Sequence, residues 1–291
     1  MEKFDKKPLD YPEQIELLKK RGLIIGNEQE TINFLKYTNY YRLSSYMRHY
    51  QINSNHEFKA GTTFNDIKNL YCFDRELKYL TFKYIKRLEI AVRAVFSHYM
   101  TTNYGSHWFY DDKYFYNLSE KQAFLEIIRN EIKYNNKYKD TFIKYYYLKY
   151  DEPDLPPFWM AIEVFSIGNL SKSLSKIKDN DFKQIAKNFN LPFSLLKSWL
   201  HSLTTVRNIT AHHSRLWNRK FAIAPKKNFN FNYHLEYNQN SFYAHAVIIE
   251  FLLRQVMQNK EWESALKELF VNYNINPTLL GFPLNWHGFD F

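Results

Sequence analysis

Apolar positions recur at helical spacing through most of this 291-residue chain, and no long stretch alternates as a half-buried strand would. Residues 12–21 and 28–37 read as two short helices broken at Gly22 and Gly26, and residues 39–51 as an aromatic, basic helix. Its tyrosines suit either a core or a base-stacking surface. After a loop at 52–62, residues 63–103 contain neither Gly nor Pro. There Phe82, Ile85, Leu88, Val92, Val95, Phe96 and Tyr99 form one stripe, which predicts a single long helix or two joined by a bend. Residues 104–118 read as an aromatic loop and 119–149 as a Lys- and Tyr-rich helix with an interruption. Pro153, Pro156 and Pro157 break the chain before the helix FWMAIEVFSIGNLSKSL, in which Gly168 suggests a close helix contact. A short helix over 179–189 leads to a long one over 193–217, then an irregular loop at 221–240, helices at 241–258 and 261–272, and an ordered tail. The fold class expected is all-α.

Composition narrows this picture. Forty-five per cent of residues are hydrophobic and 19% aromatic, which excludes a disordered chain. A formal charge of +10 favours a polyanionic partner, nucleic acid before membrane, because no apolar run approaches the roughly 20 residues of a span. Seven glycines are few for a nucleotide-binding α/β fold, and the start of the chain lacks a signal-like apolar run. The lone Cys72 reads as a small buried residue and, with no disulfide framework, fits a cytoplasmic location.

The densest polar chemistry lies in RNITAHHSRLWNR, residues 207–219. On a helical wheel Asn208, His212, Arg215 and Arg219 share one face, which His201 and Thr204 extend upstream. Trp199, Leu203, Val206, Ile209, His213 and Trp217 share the opposite face, so His213 is expected in the core and His212 in solvent. A face of His, Asn and Arg without an acid suits a phosphate, although a merely solvated face would read the same way. Arg207 and His212 form an R-x4-H pair about 140° apart on the wheel. Arg93 and His98 repeat that spacing in less polar surroundings, which reads as coincidence. Adjacent histidines point about 100° apart and no Cys or acid joins them, so neither a metal nor another cofactor is expected.

RNITAHHSRLWNR resembles the signature of the bacterial Abi-like family, the AbiD/AbiF group of phage abortive-infection proteins. Blocks at 39–46 (NYYRLSSY), 71–77 (YCFDREL), 85–93 (IKRLEIAVR), 156–171 (PPFWMAIEVFSIGNLS) and 281–286 (GFPLNW) support the likeness in order. That family is similar to HEPN proteins, helical domains that cleave RNA without metal through an R-x4-6-H pair. The resemblance implies one Abi-like domain over 1–291, with a helical lead-in at 1–60, a HEPN-like bundle at 61–220 and a C-terminal extension at 221–291. It implies a phage-defence endoribonuclease with Arg207 and His212 as catalytic residues, Asn208 and His213 supporting them, and Arg215, Asn218 and Arg219 binding RNA. It further implies a homodimer with a composite site, and a small inhibitory RNA as a candidate partner. Two other functions fit the residues: an RNA-binding protein that does not cut, within phage defence or a toxin–antitoxin pair, and a helical protein-interaction adaptor. Asp74, Arg75, Glu89 and Arg93 read as braces of the bundle, Trp217 as core, and Glu163 as a buried partner of an arginine or a neighbour of the site.

Overall fold

The computed structural model describes residues 7–134, 137–138, 140–228 and 238–291. It is all-α, with twelve α-helices among the described residues and 65% helical content. Among the described residues the only strands are Lys133–Tyr134 and Lys137–Tyr138, a two-residue antiparallel pair. No described helix is long and apolar enough to cross a membrane. Helix α1 (Tyr11–Lys20) starts where Asp10 and Glu13 exchange side-chain and backbone hydrogen bonds of 2.9 and 2.8 Å, and Pro sits in its first turn. Helices α2 (Glu28–Thr38) and α3 (Tyr40–Met47) follow, and then α4 (Phe64–Tyr104), 41 residues without a break. Thr63 and Asp66 cap α4 reciprocally.

The chain divides into two compact units, and the division falls within α4. The first holds Met1–Leu77 with Leu269–Ile275, and the second Lys78–Glu268 with Asn276–Phe291. In the first, Ile15, Leu18, Leu35, Leu43 and Phe73 are buried. Tyr46 lies in that core and donates to the buried Asp74 carboxylate at 2.6 Å, while Tyr41 is exposed, so the aromatic helix serves core and surface alike. Arg75 pairs with the adjacent Glu76, and Cys72 is half-buried rather than buried.

In the second unit, Ile85, Leu88, Val92 and Phe96 of α4 are buried, as the stripe predicts. The aromatic loop after α4 forms two 3₁₀ turns, and its Trp108, Phe109 and Phe115 fill the core. Trp108 meets Phe124 of α5 (Leu118–Ile132) and Phe158 of α7 (Phe158–Ala161), each at 5.1 Å between ring centroids, so this loop is a packing centre. Helix α6 (Thr141–Lys149) precedes the proline break. The expected single helix after that break is instead α7, a 3₁₀ turn, and α8 (Ile167–Leu174), which Ser166 caps. Helix α9 (Asp179–Lys187) and α10 (Phe193–Ala211) come next. Within the expected loop at 221–240, residues 221–228 and 238–240 are irregular and 229–237 lie outside the described residues, as do residues 1–6 of the N-terminal stretch.

Helix α11 (Phe242–Met257) is buried on all sides from Phe242 to Leu253, as a helix apolar around its whole circumference must be. Its buried Glu250 pairs with Arg254 at 2.8 Å, and Arg254 also meets Glu263 of α12 (Glu261–Asn272) and the Phe289 carbonyl. The tail is held there: the Phe289 amide donates to Glu263 at 2.9 Å, and a 3₁₀ turn at Pro277–Leu280 buries Leu280.

Candidate functional site at the end of helix α10

Helix α10 buries Trp199, Leu203, Val206 and Ile209 and turns His201, Asn208 and His212 to solvent. The wheel therefore holds as far as His212, whose near-helical backbone (φ −90°, ψ 12°) and 3.0 Å bond to the Asn208 carbonyl continue the spiral. It fails one residue later. The helix ends at Ala211, not 217. The His213 amide bonds to the Thr210 carbonyl and the Ser214 amide to that of Ile209, while His213 adopts φ 54°. This is a Schellman ending with histidine in the left-handed place that glycine usually takes. His213 is exposed rather than in the core, because the chain turns away before a helical position could bury it.

Beyond the turn, Leu216 and Trp217 are buried and anchor the segment, and Asn218 is again left-handed at φ 46°. Arg219 Nη1 donates to the Arg215 carbonyl at 3.0 Å, so these two arginines share one turn, although that turn no longer extends α10. Asn218 is exposed and Arg215 and Arg219 half-exposed. The chain then returns past Phe221, whose ring lies 4.2 Å from that of His245. Burial pushes His245 down to about 4, against the pull of the Ser241 and Ile223 carbonyls.

The two R-x4-H pairs differ sharply in what their arginines touch. Arg93 is spent: Nη2 meets Glu89 at 2.6 Å, and Nε donates to the Phe165 carbonyl at 2.9 Å. Glu89 in turn is buried and accepts the Ile167 amide at 3.0 Å, which fixes the start of α8. Arg207 has no acidic partner among the described residues. Its Nη1 reaches only the adjacent Asn208 Oδ1 at 3.3 Å, and its buried Nε bonds nothing described. Asn208 thus meets Arg207 rather than His212. His212 is exposed and makes no side-chain bond among the described residues.

Glu163 is exposed and only 3.9 Å from Arg93, so it is no buried partner. Among the described residues no group of three or more His, Cys, Asp or Glu could hold a metal ion. Helix α8 crosses α10 at Gly168, where an added Cβ would lie 3.0 Å from Thr204 Cγ2, the close contact the glycine suggested.

Taken together, the fold and this helix end define an all-α protein with an exposed His212 and a half-exposed Arg207 that has no acidic partner among the described residues. A family model described as Abi-like protein matches residues 33–218, more than half of the chain and nearly all of the motif segment. The chain belongs to the Abi-like family, which associates it with abortive infection, a bacterial defence against phage. Comparison with curated proteins gives no match, and neither does comparison with solved structures.

Proposed function

We propose that this protein is a metal-independent, HEPN-type endoribonuclease of phage defence. The observation that carries the reading is the contrast between its two arginine–histidine pairs: Arg93 is consumed by structure, whereas Arg207 has no acidic partner and an unmatched Nε among the described residues, and His212 faces solvent. Unmatched buried donors in folded proteins are generally met by water or a bound group, and a cationic guanidinium favours an anionic one. An anion with several acceptor oxygens, such as a phosphodiester, meets that demand.

In the proposed reaction the RNA 2′-oxygen attacks the adjacent phosphorus and the bond from phosphorus to the 5′-oxygen breaks. The products are a 2′,3′-cyclic phosphate and a 5′-hydroxyl. One proton leaves the 2′-hydroxyl and one reaches the departing 5′-oxygen, transfers suited to imidazole and worth about 10²–10⁴-fold in rate. His212 serves this chemistry. Arg207, braced by Asn208, stabilises the charge that builds on the phosphorane oxygens. The pair lies about 140° apart and on the order of 7.5 Å along the axis, too spread for one phosphate from one helix. Two copies of the chain, each contributing its α10 end, complete the cleft.

The same angular gap favours a second reading, an RNA-binding protein that does not cut. Purified wild type, Arg207→Ala and His212→Ala separate the two. The nuclease reading expects EDTA-resistant cleavage by wild type alone, leaving 2′,3′-cyclic phosphate ends. Equal RNA affinity in all three proteins with no cleavage by any overturns it in favour of the binder.

A further inference from the structure

Upstream of His212 the polar face of α10 borders a groove that the motif does not include. Its volume is about 680 Å³. Ser171 and Lys172 of α8, with Ser175 just past its end, form one wall, and Lys197, Ser198 and His201 of α10 form the other. Lys226 completes the lining from the returning segment. Its backbone is tied to α10 at both ends, for its amide donates to Ser198 Oγ at 2.9 Å and its carbonyl accepts from Trp199 Nε1 at 2.8 Å. A cation on an irregular stretch is thereby held at the groove by two hydrogen bonds.

Lys172, Lys197 and Lys226 are exposed, and among the described residues none of them has an acidic partner. Among the described residues no Asp or Glu lines the groove. Other lysines of this unit are ion-paired: Lys176 meets Glu120 at 2.8 Å, and Lys267 meets Glu263 at 2.7 Å. Three like charges around one groove repel each other until a polyanion enters, and low-dielectric walls concentrate the field there. The serine hydroxyls add neutral donors for phosphate oxygens.

We infer that this groove between α8 and α10 is the track for a single strand of RNA, held by its phosphates and led along α10 to His212. The inference rests on the nuclease reading for its direction but not for its cations. On one helical face, Lys197, His201, Asn208 and His212 follow each other over about 22 Å, the length of a short run of nucleotides. A single strand is required because in-line attack needs the 2′-oxygen, phosphorus and 5′-oxygen aligned, and a stacked A-form duplex holds them out of line. Single-stranded RNA also exposes its phosphates to a narrow, cation-lined groove in a way the deep duplex grooves do not.

The test is a salt titration of binding to a fluorescent, fully 2′-O-methylated ten-nucleotide RNA, which cannot be cleaved by 2′-attack. Wild type is compared with Lys172→Gln/Lys197→Gln/Lys226→Gln and with Lys20→Gln/Lys187→Gln/Lys260→Gln, which removes the same charge from exposed sites elsewhere. Thermal melts confirm that all three proteins fold. The groove variant is expected to bind roughly tenfold or more weakly at moderate salt, with a slope of log affinity against log salt shallower by about 2. The control variant is expected to keep most of the wild-type slope. Equal losses in the two variants, or wild-type binding by the groove variant, overturn the groove. Cleavage of ordinary RNA by wild type is scored separately, so a binding groove without cleavage sinks only the nuclease, and cleavage without a groove effect sinks only the track.

Discussion

The Ser214 amide donates to the Ile209 carbonyl at 3.0 Å, and the residue that lets the chain close that turn is His213, at φ 54°. This bond closes the end of α10 at Ala211 and leaves His212, the next residue, at an exposed helix terminus. A side chain with a β-branch is a clear outlier at such a φ, while Asn and Gly accept it. His213→Val is therefore expected to lower stability by about 1–2 kcal/mol relative to His213→Asn. Thermal unfolding of the two variants side by side checks this. Equal melting temperatures would remove the left-handed turn from the account of how His212 is presented.

Much of the scaffold was legible in the sequence for a physical reason. A stretch from 63 to 103 without Gly or Pro, carrying one apolar stripe, has little alternative to a long helix, and α4 is that helix. The proline break and Gly168 were equally plain. The end of α10 was not, because residues 207–219 contain no Gly and a histidine took the place of one. The split between α7 and α8 was hidden for a different reason. The amide of Ile167 is satisfied by Glu89, a carboxylate distant in sequence, and no local pattern announces such a partner. For the site, the wheel put His212 on the right face and His213 on the wrong one, since it carried helical angles beyond the true terminus. The groove lysines escaped notice altogether, because they come from three separate segments that only the folded chain brings together.

The two arginine–histidine pairs should separate by what their loss does. Removing Glu89 strands Arg93 and unties the start of α8, so Glu89→Ala is expected to cost about 3–5 kcal/mol of stability, the range for breaking a buried pair. Glu89→Gln, which keeps an acceptor for the Ile167 amide, is expected to cost less. Arg207→Ala, with only an Asn208 contact to lose, is expected to change stability by about 1 kcal/mol or less and to abolish RNA cleavage. Denaturant unfolding and RNA cleavage measured on the same preparations make the comparison. A large stability loss in Arg207→Ala would mean that its guanidinium is structural, as that of Arg93 is.

The crossing of α8 over α10 has a steric signature. In Gly168→Ala the new methyl would sit 3.0 Å from Thr204 Cγ2, closer than the two helices allow. The expected penalty is about 1–3 kcal/mol from overpacking. Thr204→Ser removes that methyl, so the double variant Gly168→Ala/Thr204→Ser is expected to recover most of the loss, a coupling that a double-mutant cycle reads directly. Additive penalties would show that Gly168 is needed for some reason other than this contact.

A pH dependence follows from His245, fully buried in α11 against Phe221, its Nδ1–H donating to the Ser241 carbonyl at 3.0 Å. Burial holds its pKa at about 4, below the ordinary histidine value of 6.5. Between those two values the unfolded chain takes up a proton that the folded chain refuses, so folding is opposed there. The stability contributed by the neutral imidazole is fully present above pH 6.5 and drains away as pH falls towards 4. A shift of this size corresponds to about 3 kcal/mol across the window. Melting temperature should accordingly fall on acidification from pH 7 to 5. In His245→Phe, which cannot take up that proton in either state, the fall should be visibly shallower. An unchanged pH profile in that variant would assign the acid sensitivity to other groups.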